Sequence, residues 1–549
     1  MPIVILDGYV DEPSCLGVPP YISPYPRYLA GAIKDAGQDY VYMTIDEYRT
    51  GSVKAGALQN AKMLVLIGGT VVPGKYLRGM PASLREMLNI CEDFSGEIVL
   101  GGPLAKYCGN DANTQRLLND AFTYISKKDV DAFIFDMLVV GLPIDRNRTQ
   151  KEWDKWSKLG AEVVRQHPDF PQPLLAEIDT YRGCVRYFNG GCSFCVEPLF
   201  GEPEFRTPKS IVDEVATLNK LGVVNFRIGG QSCIYSYRAK NIGKTETPKP
   251  NVSDIEKLFR GIRKNAPSIK VLHTDNANPA IIAEHPAESR RITKVIANYC
   301  TSGNVVAFGM ESADPKVIKE NNLNAVPDQV MKAIEIINEI GAKIGPNGLP
   351  TFLPGINILA GLKGESKETF ESNYQFLKNV VDRGLLVRRI NIRQVINVRN
   401  EFKSRYHSEF LKFKEKVRTE IDRVLLKKIV PEGTIMHDVY FEVKIGKDTL
   451  GRQTGSYPLL VVLPYETTLN RFSNIVVTGH GFRSITGIEY PFDINKASFA
   501  AIQSLPGVGR KRASRIIRSR PFKNTEEFVN CFDDTEVGRK LSRYVAIKG

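Results

Sequence analysis

From Leu174 to Val395 the chain alternates short apolar runs with amphipathic ones six times, and this alternation limits the fold more than any other feature. The apolar runs are LLAEIDTY, NFRIGG, IKVLHTD, VVAFGMES, INILAGL and INIRQV. Helix-like stretches such as SIVDEVATLNKLG, DIEKLFRGIRKN, DQVMKAIEIINEIG and KETFESNYQFLKNVVDRG separate them. Strands that are apolar almost throughout, each followed by a helix, require a parallel sheet covered by helices. Six such units are two short of a closed eight-stranded barrel, so a partial barrel is expected over residues 171–400.

Residues 1–170 carry a shorter series of the same kind: IVILDG, the helix-like PRYLAGAIKDAG, then YVYMTI, MLVLIGG and EIVLGGP. The expected fold there is a doubly wound, Rossmann-like α/β domain. Gly68, Gly69 and Thr70, and again Gly101 and Gly102, fall where strands end, the place at which open α/β sheets bind ligands. Taken alone, these glycines read as tight turns. There is no G-x-x-x-x-G-K-[ST] and no G-x-G-x-x-G, so nucleotide binding of those kinds is not indicated.

Over 401–490 the pattern changes to alternating strands, YFEVKI, YPLLVVL, NIVVTGH and ITGIEY, which predict a small all-β barrel. Residues 491–549 read as helical, with Leu505-Pro506-Gly507-Val508-Gly509 between two amphipathic stretches. This last segment holds twelve Lys and Arg against six acids, six of the net +13 of the whole chain. Such a surplus fits an acidic partner, nucleic acid or protein, or simply a well-solvated helical surface. No apolar run approaches the roughly 20 residues of a membrane span. The start, MPIVILDGY, reads as a buried strand and not a signal peptide, so a cytoplasmic protein is expected.

Nine cysteines are an odd number for a disulfide framework. Cys15, Cys91, Cys108, Cys233, Cys300 and Cys531 are scattered, as buried small hydrophobes are. Cys184, Cys192 and Cys195 instead crowd into YRGCVRYFNGGCSFCVEP at the end of the first barrel strand. C-x-x-C converges two thiols on one metal site, and Cys184 can join them. Zinc would call for a fourth Cys or His nearby, and none follows at suitable spacing. Three thiolates on a four-iron cluster leave one iron open to a substrate or cofactor.

Cys-Ser-Phe-Cys at the mouth of a six-unit βα barrel resembles the radical SAM superfamily. Seven residues separate Cys184 from Cys192 where that family usually has three, so VRYFNGG is expected as an inserted loop beside the open iron, eased by Gly190 and Gly191. The resemblance implies a [4Fe–4S] cluster on Cys184, Cys192 and Cys195. It also implies bound S-adenosylmethionine (SAM), reductive cleavage to a 5′-deoxyadenosyl radical, and an electron donor such as ferredoxin or flavodoxin. By position in the motifs, SAM would meet Phe194 and Gly229-Gly230-Gln231, where the family usually has Glu for the third residue. It would also meet Glu311 and Ser312, and Asn357 and Gly361 of INILAGLKGES, with Glu365 following. His273, Asp275, Asn276 and Asn278 of HTDNANP are expected near the barrel mouth, as substrate contacts or as a cap for the next helix.

A Rossmann-like domain ahead of the barrel resembles the cobalamin-binding radical SAM methyltransferases, with Gly68, Gly69, Thr70, Gly101 and Gly102 then near the corrin. D-x-H-x-x-G, which supplies a histidine to cobalt in many cobalamin domains, is absent. The barrel and the β-rich segment GRQTGSYPLLVV…VTGHGFRSITG are also similar to the methylthiotransferases and their TRAM domain. Those enzymes need three further cysteines for a second cluster, and Cys15, Cys91 and Cys108 do not match that pattern. LPGVGRKRASRII resembles a helix-hairpin-helix, with Arg510, Lys511 and Arg512 beside a phosphate-binding turn or a protein-docking one.

The whole arrangement is similar to an archaeal group of radical SAM proteins. The likeness implies methyl transfer from SAM through methylcobalamin to an unactivated carbon of a macromolecule. A protein residue is the expected acceptor, glutamine in methyl-coenzyme M reductase being one example. A tRNA- or RNA-modifying enzyme is the alternative, and a nucleic-acid-binding protein with a structural cluster is the non-enzymatic one.

Overall fold

The computed structural model describes residues 2–12, 15–69, 76–107 and 112–547. Thr70 and Cys108 therefore lie outside the described residues, as does the side chain of Cys15. The first domain is built on a parallel sheet of β1 (Ile3–Asp7), β3 (Tyr40–Thr44), β4 (Met63–Ile67), β5 (Glu97–Gly101) and β6 (Tyr124–Ile125), in the order β3-β1-β4-β5-β6. β1 and β4 have no exposed residue, as expected for strands with helices on both faces.

One short strand leaves this domain. β2 (Tyr21–Ile22) pairs in parallel with β7 (Leu175–Asp179) and so becomes an edge of the barrel. The helix Pro24–Asp35 follows it and packs against helices 130–139 and 150–159. Its Arg27 is fully buried and pairs with Glu214 of the barrel helix Pro208–Leu221, which also takes Arg206. Removing one partner of such a pair leaves an uncompensated charge and costs about 3–5 kcal/mol. The first domain is thus anchored to the barrel by desolvated charge.

The six expected βα units are present. β7, β8 (Asn225–Gly230) and β9 (Val271–Thr274) form one sheet with β2. β10 (Asn304–Glu311), β11 (Phe352–Ala360) and β12 (Ile390–Gln394) form a second. The bridge Ala277–Phe308 joins the two. Among the described residues no strand pairing joins the barrel's edge strands β12 and β2. Alternation along β10 explains the inner face: Val306, Phe308 and Met310 are fully buried, while Gly309 between them is exposed.

The chain departs from the expected all-β reading between Phe402 and Pro431. Helix His407–Val417, a wider π turn at Arg418–Asp422 and helix Arg423–Ile429 run in series there. Phe410, Phe413, Val417, Ile421, Leu425 and Ile429 are buried at helical spacing and pack the series on helix Lys367–Asp382. The predicted β-barrel then closes from β13 (Ile435–Ile445), β14 (Asp448–Gln453), β15 (Leu460–Leu463), β16 (Arg471–His480) and β17 (Ser484–Tyr490). β14 was not among the expected strands.

This β-barrel plugs the base of the larger barrel. Tyr21 donates to the carbonyls of Gly455 and Ser456 at 2.6 and 2.9 Å, and Tyr457 reaches Asp275 inside the lumen. Ser456 N–H donates to Nδ1 of His273 at 3.0 Å. The last domain packs helices 499–503 and 510–518 around Gly507, whose φ of +73° favours glycine.

Candidate functional site

Cys184 follows the short strand Tyr181–Arg182, and the inserted loop between Cys184 and Cys192 turns on Gly190 and Gly191, both at positive φ. Instead of hanging free, the insertion buries Val185 and Arg186 at 2 % exposure each. Arg186 donates from Nη1 to Sγ of Cys192 at 3.3 Å, and its backbone N–H points at Sγ of Cys184 at 3.5 Å. Glu246 and Asn322 hold the guanidinium in place. On the other side Arg399 Nη1 donates to the carbonyls of Gly190, Cys192 and Cys195 at 2.6, 3.2 and 3.3 Å. Phe194 packs partly buried against a small cluster with Val317, Leu362 and Phe402.

Burial pushes the Cys184 thiol up to about 12 and those of Cys192 and Cys195 upward as well. The three are electrostatic neighbours. Among the described residues no three His, Cys, Asp or Glu side chains close tightly enough to hold a metal ion. Three thiols with N–H donors aimed at two of them fit a cluster that accepts hydrogen bonds at its sulfurs.

Glu311 ends β10 at φ +63°, 8 % exposed, beside Cys192 and Arg393. Its Oε2 has no hydrogen-bond partner, and burial raises the carboxyl to about 8. An unsatisfied buried carboxyl next to the cluster loop fits a donor on a bound ligand, as the amino or hydroxyl groups of SAM would supply. Asn357 and Asn391 face each other across β11 and β12 at 3.3 Å, and Arg393 Nε donates to Asn391 at 3.2 Å. These side chains and exposed Gly309 form a polar lumen under the cluster loop.

Other expected residues are already engaged inside the chain. Gln231 accepts from Thr180 and donates to the carbonyls of Ile228 and Asp275, with 1 % exposure. A side chain at Gly229 would strike Glu177, and one at Gly230 would strike Asp179. Ser312 accepts the Asp314 N–H at 3.1 Å. Gly361 turns at φ +87° and donates to Glu365 at 2.7 Å. Asn278 caps helix Pro279–Glu284, and Asn276, at φ +58°, donates to the Gln231 carbonyl. His273 is not at the mouth. It lies in the strand against the β-barrel loop, and burial lowers it to about 3, so it is neutral. Asp275 is likewise inside, between Arg227 and Tyr457.

The described glycines expected near a corrin are filled by their own domain. A Cβ would meet Leu104 at Gly68, Tyr9 and Val10 at Gly69, Val130 at Gly101, and the Gly68 carbonyl at Gly102. The cleft between this domain and the barrel mouth is lined by Tyr25, Lys106, Asp129, Phe200 and Gly230 and measures about 80 Å³. Sites for drug-sized ligands run to roughly 300 Å³ or more. No corrin contact is assigned to these four glycines. Among the scattered cysteines, Cys91 is buried in the core behind the sheet.

Residues 178–377 match the radical SAM superfamily model and 489–531 the helix-hairpin-helix motif. The chain therefore carries a radical SAM domain over residues 178–377. An uncharacterised protein of Methanocaldococcus jannaschii is 48% identical over 506 residues, 88% of this chain and 92% of that one. A putative methylthiotransferase of the same organism is 24% identical over 34% of this chain and 42% of its own length. Among solved structures, the cobalamin-dependent S-adenosylmethionine radical enzyme OxsB with aqua-cobalamin bound superposes with a TM-score of 0.50 at 11% identity. That match covers 78% of this chain and 58% of OxsB. No helix among the described residues is long and apolar enough to cross a membrane.

Arg186, Arg399 and Tyr457 are the site residues that sequence reasoning missed. Arg186 lay in plain view inside the insertion; the other two act from hundreds of residues away.

Proposed function

We propose that the chain is a cobalamin-dependent radical SAM C-methyltransferase acting on an unactivated carbon of a macromolecule. The observation that carries the radical chemistry is the trio Cys184, Cys192 and Cys195, with Arg186 on one sulfur and the unpaired Glu311 carboxyl beside it. When bound, the cluster supplies the electron that cleaves SAM and the corrin supplies the carrier for a methyl group. The protein's own part is placement. Arg399 and Arg186 fix the loop, Glu311 and the Asn357–Asn391 pair offer ligand contacts, and the β-barrel loop shuts the base of the lumen against water.

A Rossmann-like domain seated on the barrel mouth, the fold shared with OxsB, supports the corrin reading. Cys91 packs among apolar side chains with no other described cysteine in that cluster, which favours one cluster over the two that methylthiolation needs. A small one-electron carrier such as ferredoxin or flavodoxin would supply the reductant. For the acceptor, the family likeness points to a protein residue. RNA is the second reading, favoured by the exposed Arg510 and Lys511 of the hairpin and by the open edge of the barrel. Anaerobic reconstitution with SAM and dithionite tests the core of the proposal. Wild type should release 5′-deoxyadenosine and Cys192→Ala should release none; equal release by both would refute it.

A further inference from the structure

The seven residues between Cys184 and Cys192 put the first thiol on a separate arm of the loop. Cys192 and Cys195 have their own supports. Arg399 donates to both of their carbonyls, and Asn321 and Asn400 hold Ser193 between them. The Cys184 carbonyl takes the N–H of Tyr187 at 3.0 Å, a contact inside its own arm. Its tie to the barrel lies one residue earlier.

Gly183 turns at φ +90°, a conformation that favours glycine, and side chains take both of its peptide groups. Its N–H donates to Oε2 of Glu197 at 3.1 Å, and its carbonyl accepts from Oγ of Ser232 at 3.0 Å. Among the described residues no other donor reaches that carbonyl. Ser232 stands in the loop after β8, and the hydroxyl of buried Tyr181 lies behind it at 3.0 Å. Tyr181 Oη also accepts the Cys233 N–H at 2.8 Å and lies 2.9 Å from Oγ of Ser236.

A hydroxyl has one proton to give and two lone pairs to offer, which fixes the direction of these bonds. The Cys233 carbonyl, 2.8 Å from Tyr181 Oη, already takes the backbone N–H and the hydroxyl of Ser236, at 3.2 and 2.9 Å. Ser232 gives its proton to Gly183, so its contact with Tyr181 requires the proton of Tyr181. Donation therefore runs from the Cys233 N–H to Tyr181, from Tyr181 to Ser232, and from Ser232 to the peptide that leads into Cys184. Each bond in such a chain polarises and strengthens the next. The loop that starts the chain is fixed from its far side too. The Ile234 N–H donates to the Asn276 carbonyl at 2.9 Å, and the Asn278 N–H meets Sγ of Cys233 at 3.2 Å.

We propose that Tyr181 and Ser232 are positioning residues for Cys184. They fix the first thiol from the ends of β8 and β9, so an insertion of this length does not let it drift from Cys192 and Cys195. Ligands of a working site must be held to within about 0.5 Å. The proposal rests on the reading that Cys184 binds the cluster, and it deepens that reading by naming what places the cysteine.

The test compares iodoacetamide alkylation of Cys184, Cys192 and Cys195 in the metal-free full-length protein, read by peptide mass spectrometry. Ser232→Ala should speed alkylation of Cys184 roughly 5- to 10-fold, the worth of one neutral hydrogen bond, with Cys192 and Cys195 unchanged. Tyr181→Phe keeps the ring and should behave in the same way, whereas Ser232→Thr keeps the hydroxyl and should restore the wild-type rate. After anaerobic reconstitution, electron paramagnetic resonance of the reduced cluster should show altered g values in Ser232→Ala and wild-type values in Ser232→Thr. The inference is overturned by an unchanged Cys184 rate in Ser232→Ala, by an equal rise at all three cysteines, by no recovery in Ser232→Thr, or by identical spectra. Absence of any cluster signal in wild type would contradict the proposed function instead, and the alkylation rates, which need no metal, would still decide this inference.

Discussion

Arg186 Nη1 lies 3.3 Å from Sγ of Cys192, on a buried side chain that Glu246 and Asn322 hold in place. A cationic donor on a cluster thiolate favours the more negative, reduced cluster. Arg186→Met should retain iron and shift the midpoint potential downward by on the order of 50 mV, about 1 kcal/mol for one electron. A redox titration followed by electron paramagnetic resonance reads this directly. Arg186→Lys should recover part of the shift, and an unchanged potential in the Met variant would mean that the contact has no electronic role.

Inside the lumen Arg227 lies between two acids and pairs with both Glu177 and Asp275. Glu177 carries the proton, since its Oε2 lacks a partner and burial raises it to about 8. A carboxyl raised on folding contributes stability that is present below about 4.5 and lost as pH climbs through about 8, at up to about 1.4 kcal/mol per unit. Denaturant melts should therefore show wild type weakening from pH 5 to 8. Glu177→Gln should flatten that slope, and parallel slopes for the two proteins would contradict the assignment.

Tyr457 ties the two barrels, with its hydroxyl on Asp275, its ring under Arg389 and its carbonyl taken by Arg388 at 2.6 Å. Tyr457→Phe should cost about 1–2 kcal/mol by leaving Asp275 a partner short. Tyr457→Ala should cost about 3–5 kcal/mol. Limited proteolysis of the Ala variant should cut first near the junction of the two barrels, and a protease pattern like wild type would show that the loop is not the clasp.

Glu311 offers its unpaired oxygen to a ligand. Glu311→Ala should weaken SAM binding in equilibrium dialysis by roughly 10- to 100-fold, the worth of one charge-assisted hydrogen bond, with iron content unchanged. Undiminished binding would move the SAM contacts elsewhere in the lumen.

The parts that were legible in the sequence are those with a local period. All six barrel strands carried apolar runs bounded by helix caps, and Gly190 and Gly191 marked the turn that their positive φ values now show. Helix 407–429 was missed because its apolar spacing was read together with the alternating strands that follow it. Gln231 looked like a ligand contact by position, yet its amide is consumed by Thr180, Ile228 and Asp275. His273 was placed at the mouth because it ends a strand, although its partner, the Ser456 N–H, is 183 residues away. Long-range contacts of that kind leave no local pattern. The same holds for β2, two residues that pair with a strand more than 150 positions on.

Metal and corrin analysis of the anaerobically reconstituted, desalted full-length protein separates one cluster working with a corrin from two clusters. About four irons and one cobalamin per chain are expected. Seven or eight irons with no corrin retained would contradict this and point to a second cluster and sulfur insertion.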